Sequence, residues 1–143
     1  MKYILFTDGG SRGNPGPAAI GVVIANERGQ AIKKYGQAIG ETTNNEAEYQ
    51  AVIFALKKFK QVFGKAKAKA AGIEMRLDSE LVVSQLNHRY KIEEPNLQTL
   101  FLQVWNLTLD FGEVKFTVIP REQNKEADKL VNEALDKKQG ELL

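Results

Sequence analysis

The hydrophobic period of the chain changes near residue 44, and this change constrains the fold more than any other feature. Before it, three short β-prone runs cover residues 3–7, 19–25 and 31–39 and are separated by turns that contain Gly and Asn. After it, apolar residues recur at three- and four-residue steps, which predicts an amphipathic helix beginning at Thr43 or Asn44. The short connections favour an antiparallel meander of the first three strands, because parallel neighbours need a long crossover.

The rest of the chain predicts two more strands and three more helices. Residues 73–77 and 113–119 alternate in polarity as strands do. Helices are predicted from Ser79, from Pro95 and over residues 122–138. The element order β-β-β-α-β-α-α-β-α is that of an α/β fold.

Composition bounds the class of protein. The 143 residues, of which 43% are hydrophobic, predict one domain over residues 1–143 with its own core. A net charge of +2 is too small to identify a nucleic-acid binder by itself. The absence of cysteine excludes a disulfide framework and a thiolate zinc site. The sequence shows neither a signal peptide nor a membrane span, so we expect no membrane association and a cytoplasmic location.

Four acidic residues lie where a packed sheet would bring them together. Asp8 ends the first strand and Asp78 the fourth, and the ends of parallel neighbouring strands meet at one edge of a sheet. Glu48 lies one turn into the first long helix, and Asp128 lies near the start of the last one. Four converging carboxylates repel each other unless cations neutralise them. Oxygen ligands without cysteine suit Mg²⁺ or Mn²⁺ far better than Zn²⁺.

Each acid taken alone also has an ordinary structural interpretation. Asp8 precedes Gly9 and Gly10 and fits a turn, while Glu48 and Asp128 fit a solvated helix surface. Only their joint placement favours a metal site.

Four motifs in the chain resemble those of one known family. They are Thr7-Asp8-Gly9-Gly10-Ser11 with Gly13-Asn14-Pro15-Gly16, then Thr42-Thr43-Asn44-Asn45-Glu46-Ala47-Glu48, Leu77-Asp78-Ser79 and Arg121-Glu122-Gln123-Asn124-Lys125-Glu126-Ala127-Asp128. Their order and spacing are similar to those of type 1 ribonuclease H, prokaryotic type. The resemblance implies a ribonuclease H-like fold with a mixed five-stranded sheet in the order 3-2-1-4-5, its first three strands antiparallel, flanked by helices. It also selects Glu48 rather than Glu46 as the metal-binding acid.

The resemblance further implies an activity and a substrate. The family's members hydrolyse the RNA strand of RNA/DNA hybrids with two Mg²⁺ or Mn²⁺ ions per active site, leaving 5′-phosphate and 3′-hydroxyl ends. It gives both catalytic and metal-binding roles to Asp8, Glu48, Asp78 and Asp128. It assigns substrate contacts to Gly9, Gly10, Ser11, Asn14, Thr43, Asn44 and Asn45. We expect a monomer without an obligate protein partner.

The chain departs from the family pattern at three places. The loop before Asp128, residues 118–124, lacks the histidine that many relatives use in proton transfer or product release. Arg121 or Glu122 is an alternative for that role. Glu80 stands where many relatives place a substrate-binding Gln. The span of residues 87–96 is too short for the basic protrusion of some relatives.

Several basic and aromatic residues have two interpretations. Two groups of lysines, within residues 65–71 and at 57, 58 and 60, could neutralise phosphates in place of the protrusion. We favour the other interpretation, in which they form a solvated loop or helix face. Trp105 and Phe101 are predicted to be core residues rather than a base-stacking platform, and His88 a surface loop residue. A non-catalytic hybrid-binding module and a related nuclease acting on DNA or double-stranded RNA remain alternative functions.

Overall fold

The structure, a computed structural model, describes residues 1–142. Its strands are β1 (Lys2–Ser11), β2 (Gly16–Asn26), β3 (Ala31–Thr42), β4 (Gly72–Leu77) and β5 (Glu113–Val118). Its helices are α1 (Asn44–Phe63), α2 (Lys65–Ala70), α3 (Glu80–Leu86), α4 (Pro95–Thr108) and α5 (Lys125–Leu142), with a 3₁₀ turn at Arg121–Gln123. Leu143, part of the predicted domain, lies outside the described residues. No helix within residues 1–142 is long and apolar enough to cross a membrane.

The five strands form one mixed sheet in the order β3-β2-β1-β4-β5, as predicted. Strands β1, β2 and β3 pair antiparallel, whereas β4 is parallel to both β1 and β5. The parallel pairing follows from the connections, since helices separate β4 from the strands before and after it in the chain. The predicted α/β fold with an antiparallel first half is therefore confirmed.

Helices cover both faces of the sheet. On one face the main core joins strand residues such as Leu5, Ile24 and Met75 to helix residues such as Leu56, all fully buried. On the other face a smaller cluster packs Ala19 of β2 against residues of α5. Alternating strand side chains supply the two cores, because successive residues of a strand point to opposite faces.

Strand register puts Asp8 and Asp78 side by side. The last parallel pair between β1 and β4 is Phe6 with Arg76, and each acid lies two residues further along its strand direction. The prediction that the first strand ends at Asp8 is wrong. Strand β1 continues to Ser11 because its pairing with β2 persists after its pairing with β4 ends, and Asp8 lies opposite Gly21.

Other corrections concern the helices. Residues 65–70 form α2, which the predicted element order lacks, because Ala and Lys are strong helix formers and Ala68 is buried in the core. The last helix begins at Lys125 rather than at residue 122, since a 3₁₀ turn precedes it. Trp105 is not a core residue: it is 47% exposed on α4. It lines a surface cavity together with the partly buried Phe101 and the exposed His88. The surface position of His88 is as predicted.

A glycine lets α5 pack directly on the sheet. A Cβ atom at Gly21 would overlap the carbonyl of Ala127 and come within 3.1 Å of Leu130 Cβ. We expect Gly21→Ala to lower the free energy of unfolding by about 1–3 kcal/mol, because it forces the last helix off the sheet. Gly140→Ala in α5 is the matched control: apart from the adjoining helix backbone, no described atom lies within 4 Å of the added Cβ. It should raise stability by up to about 1 kcal/mol. Equal midpoints in urea unfolding would contradict this account.

Candidate active site

Three carboxylates converge at the end of the parallel strands. Asp8, Glu48 and Asp78 each offer an oxygen, and these oxygens lie within 4.8 Å of one another. Asp8 and Glu48 are buried, with 8% of each residue exposed, and Asp78 is half-buried. Asp128 is exposed but lies beside the cluster, since it lines the same groove and its charge raises the pKa of Asp8. The structure therefore brings together all four acids that the sequence selected.

Close packing of α1 on β1 puts Glu48 in the cluster. The backbone N–H of Gly9 donates a 2.8 Å hydrogen bond to Glu48 Oε1. A side chain at Gly9 would overlap the carbonyl of Ala47, so the helix can approach this closely only over a glycine.

Glu46, the other acid of the same motif, is directed to the helix end instead. Thr43 is the N-cap of α1, and its side chain and that of Glu46 form a reciprocal capping box. Glu46 also accepts a hydrogen bond from the Thr42 hydroxyl, which is the main reason that its pKa is lowered. The two acids therefore have separate roles in the fold, and only Glu48 faces the cluster.

Burial and mutual repulsion disfavour ionisation of the cluster. Burial, followed by the charges of Asp78 and Asp128, raises the pKa of Asp8 to about 7. The pKa of Glu48 is also raised, first by burial and then by the charges of Asp8 and Asp78. The Gly9 hydrogen bond and the charge of Arg121 oppose that rise. The site is thus unfavourable for negative charge unless a cation neutralises it.

The donor set fits a hard divalent cation. Every potential ligand in the cluster is a carboxylate oxygen, which is the ligand type of Mg²⁺ and Mn²⁺. Three of these groups converge from different elements, β1, α1 and the end of β4, so the fold holds them together before any ion binds. The residues that would hold such ions are Asp8, Glu48, Asp78 and the adjacent Asp128.

The carboxylates lie in an open groove of about 450 Å³. Its lining comprises the four acids, Gly9, Gly10, Ser11, Arg12, Asn44, Asn45, Ser79, Arg121, Lys125, Val131, Asn132 and Leu135. Five of the seven predicted substrate contacts are in this lining. The other two, Asn14 and Thr43, are not, but Asn14 Oδ1 accepts a 2.9 Å hydrogen bond from the N–H of Asn44. Asn14 thus holds a lining residue, and Thr43 caps the helix that carries it.

Three basic residues of the groove were given no substrate-binding role from the sequence, although Arg121 was named there as an alternative to the missing histidine. Arg121 and Lys125 lie in the last motif, and Arg12 follows the first one, so their positions beside the acids were the available signal. Arg12 is already engaged with α5, where its Nη2 lies 2.6 Å from Asp136 Oδ1. The charge of Arg121 lowers the pKa of Glu48 and so partly opposes the effect of burial. Glu80 is exposed at the start of α3 and does not line the groove.

The lysines of α2 belong to the other end of the sheet. This helix leads into Gly72, which pairs with Lys2 at the beginning of β1, whereas the acids lie at the ends of β1 and β4. Lys69 Nζ also donates to the carbonyl of Leu109 at 3.2 Å. The interpretation as a helix face is therefore favoured over a contact near the acids.

The fold and the acidic groove together define a protein of the ribonuclease H-like class. A family model described as reverse transcriptase-like matches residues 6–134. The chain is 41% identical over 131 residues to ribonuclease HI of Halobacterium salinarum, which covers 92% of this chain and 63% of that relative. It is 38% identical over 137 residues to a bifunctional protein of Mycobacterium tuberculosis, covering 95% of this chain and 36% of that relative. The chain thus spans about a third of one curated relative and less than two thirds of the other.

A solved structure covers nearly the whole chain. The crystal structure of LC11-RNase H1 in complex with an RNA/DNA hybrid superposes with a TM-score of 0.91 at 46% sequence identity. The match covers 96% of this chain and 99% of that one. The chain belongs to the type 1 ribonuclease H family, of prokaryotic type.

Proposed function

We propose that the protein is an endoribonuclease that hydrolyses the RNA strand of RNA/DNA hybrids. The observation that carries this proposal is the convergence of Asp8, Glu48 and Asp78 within 4.8 Å in an open groove, with Asp128 beside them. Binding alone would not need buried carboxylates that repel a phosphate backbone and each other. Family membership and the hybrid complex of LC11-RNase H1 support the choice of substrate.

The four acids share one task in the proposed mechanism. Asp8, Glu48, Asp78 and Asp128 would hold two Mg²⁺ or Mn²⁺ ions, and the Gly9 N–H keeps the Glu48 carboxylate oriented. Bound divalent ions supply Lewis-acid chemistry, activating a water nucleophile and stabilising the leaving oxygen of an in-line displacement. Water attacks the phosphorus from the side opposite the 3′ oxygen, and the bond between phosphorus and that oxygen breaks. The 3′ oxygen takes up a proton, so the products carry a 5′-phosphate and a 3′-hydroxyl.

The groove lining gives a basis for recognition of the hybrid. Backbone groups of Gly9 and Gly10 and the side chains of Ser11, Asn44 and Asn45 face the groove, where they can bond 2′-hydroxyls and phosphates without reading the base sequence. Asn14 and Thr43 act by holding the loop and helix end that carry these groups. We further propose that the chain acts as a single-domain monomer in the cytoplasm.

A metal titration on a panel of substrates tests the proposal. We expect the protein to cut the RNA strand of a hybrid with Mg²⁺ or Mn²⁺, to leave 5′-phosphate and 3′-hydroxyl ends, and to lose activity with a chelator. Matched duplex RNA and duplex DNA of the same sequence are the control substrates. Hybrid binding without turnover at any metal concentration would show a non-catalytic module. Preferential cutting of duplex DNA or RNA would show a related nuclease instead.

A further inference from the structure

A buried amide adjoins the acidic cluster without being one of its ligands. Asn124, which immediately precedes α5, is only 1% exposed. Its Nδ2 donates a 2.9 Å hydrogen bond to the carbonyl of Thr7, the residue before Asp8. The same Nδ2 makes a longer contact of 3.4 Å with Asp78 Oδ2.

The main chain of Asn124 reaches a third acid. Its carbonyl accepts a 3.1 Å hydrogen bond from the N–H of Asp128, which is part of the first turn of α5. One residue therefore contacts Asp78 directly, bonds the carbonyl of Thr7 just before Asp8, and bonds the backbone N–H of Asp128. These three acids come from different elements, so their relative positions depend on the contacts that join β1, the end of β4 and α5.

Neither packing nor helix capping explains an asparagine at this position. At a helix start, an Asn side-chain oxygen ordinarily accepts a hydrogen bond from the first backbone N–H groups. Here Asn124 Oδ1 is buried and accepts no hydrogen bond from any described residue. A buried unpartnered polar atom costs about 1–3 kcal/mol, which an apolar side chain would avoid. The role of the amide must therefore reside in what its Nδ2 holds.

We propose that Asn124 is a positioning residue that fixes Asp78 and the start of α5, with Asp128, against the strand that carries Asp8. This inference rests on the proposed function, since it assigns the acids a shared task. Groups that orient metal ligands typically contribute 10- to 100-fold in metal affinity or activity. Loss of the amide should therefore weaken metal binding and turnover while leaving the hybrid-binding groove intact.

The test compares Asn124→Leu with Asn87→Leu. The Asn87 side chain makes the same kind of bond elsewhere, from Nδ2 to the carbonyl of Phe116 in β5 at 3.1 Å, and it does not line the acidic groove. For Asn124→Leu we expect kcat on a hybrid to fall by about 10- to 100-fold, with KM within about threefold of wild type. Mn²⁺ binding to the metal-free protein, followed by electron paramagnetic resonance, should weaken by about tenfold. Asn87→Leu should lower Tm but leave kcat and Mn²⁺ affinity within about twofold.

The outcomes separate this inference from the proposed function. If wild type cuts the hybrid and Asn124→Leu keeps kcat and Mn²⁺ affinity within twofold, the positioning role is overturned. An equal fall of kcat in both variants also overturns it, because a general loss of stability would then explain the result. If wild type fails to cut the hybrid, the proposed function fails, and the Mn²⁺ affinities alone decide the positioning role. If Asn124→Leu does not fold, Asn124→Ser replaces it in the test, because Ser is favoured at helix starts but lacks the amide. We expect the same losses of kcat and Mn²⁺ affinity for Asn124→Ser.

Discussion

Replacing Asp8 with Asn is expected to abolish cleavage of the hybrid and, in metal-free protein at neutral or higher pH, to raise the melting temperature. Asp8 is the acid whose pKa is raised by the charges of both Asp78 and Asp128, so its loss removes a ligand from the centre of the cluster. Loss of several kcal/mol of transition-state stabilisation corresponds to a fall in kcat of about a thousandfold or more. The same substitution removes a buried charge that the fold disfavours.

The pH dependence follows from the direction of the Asp8 shift. Its pKa is about 7 in the folded protein against 3.8 for an ordinary Asp. Between these values the folded state binds more protons than the unfolded state, so the free energy of unfolding falls as pH rises from about 4 to 7. Asp8→Asn cannot ionise and should lose less stability over this interval. Thermal unfolding of metal-free wild type and variant from pH 4 to pH 8 measures the difference.

Added metal gives the control for this prediction. Mg²⁺ or Mn²⁺ should raise the Tm of wild type at pH 8, because an ion that binds only the folded state stabilises it. The rise should be much smaller for Asp8→Asn. Full activity in the variant would contradict the metal-binding role of Asp8. A metal-free Tm that falls with pH as steeply as that of wild type would contradict the raised pKa of Asp8.

Glu48→Gln is expected to lower kcat by about a hundredfold or more, whereas Glu46→Gln should change it by less than about fivefold. Gln at residue 48 keeps an oxygen that can accept the Gly9 N–H bond but removes a negative charge from the cluster. Gln at residue 46 keeps the geometry of the capping box at Thr43, and the carboxylate it replaces faces the helix end. The two substitutions are thus chemically identical and lie two residues apart.

Steady-state kinetics on a hybrid and Tm measurements on both variants check this contrast. The Tm of Glu46→Gln should fall by a few degrees at most, since a cap interaction contributes about 1 kcal/mol. A larger loss of kcat in Glu46→Gln than in Glu48→Gln would reverse the assignment of the two acids. Similar losses in both would mean that the start of α1, rather than the Glu48 carboxylate, controls activity.

The order of the strands was predictable to a different degree in its two halves. Short connections between β1, β2 and β3 predicted the antiparallel half, because they leave too few residues for a crossover. The places of β4 and β5 in the strand order came from the resemblance to the family.

Helix α2 was not predicted, since its Lys and Ala residues show no amphipathic period and its buried residue is Ala68. The prediction that Trp105 is a core residue is wrong because helical spacing alone does not fix which side of a helix is buried. Trp105 lies on the exposed side of α4.

The sequence by itself determined the α/β order of elements and the positions of Asp8 and Asp78 near strand ends, because strand periodicity and turn residues are local properties of the chain. It could not distinguish Glu46 from Glu48 on physical grounds, since both lie in the first turns of the same helix. Tertiary structure decided between them: α1 packs over Gly9, which turns Glu48 to the cluster and leaves Glu46 at the cap. Tertiary structure also revealed Asn124, whose contacts with Thr7 and Asp78 join residues 117 and 46 positions apart in the chain.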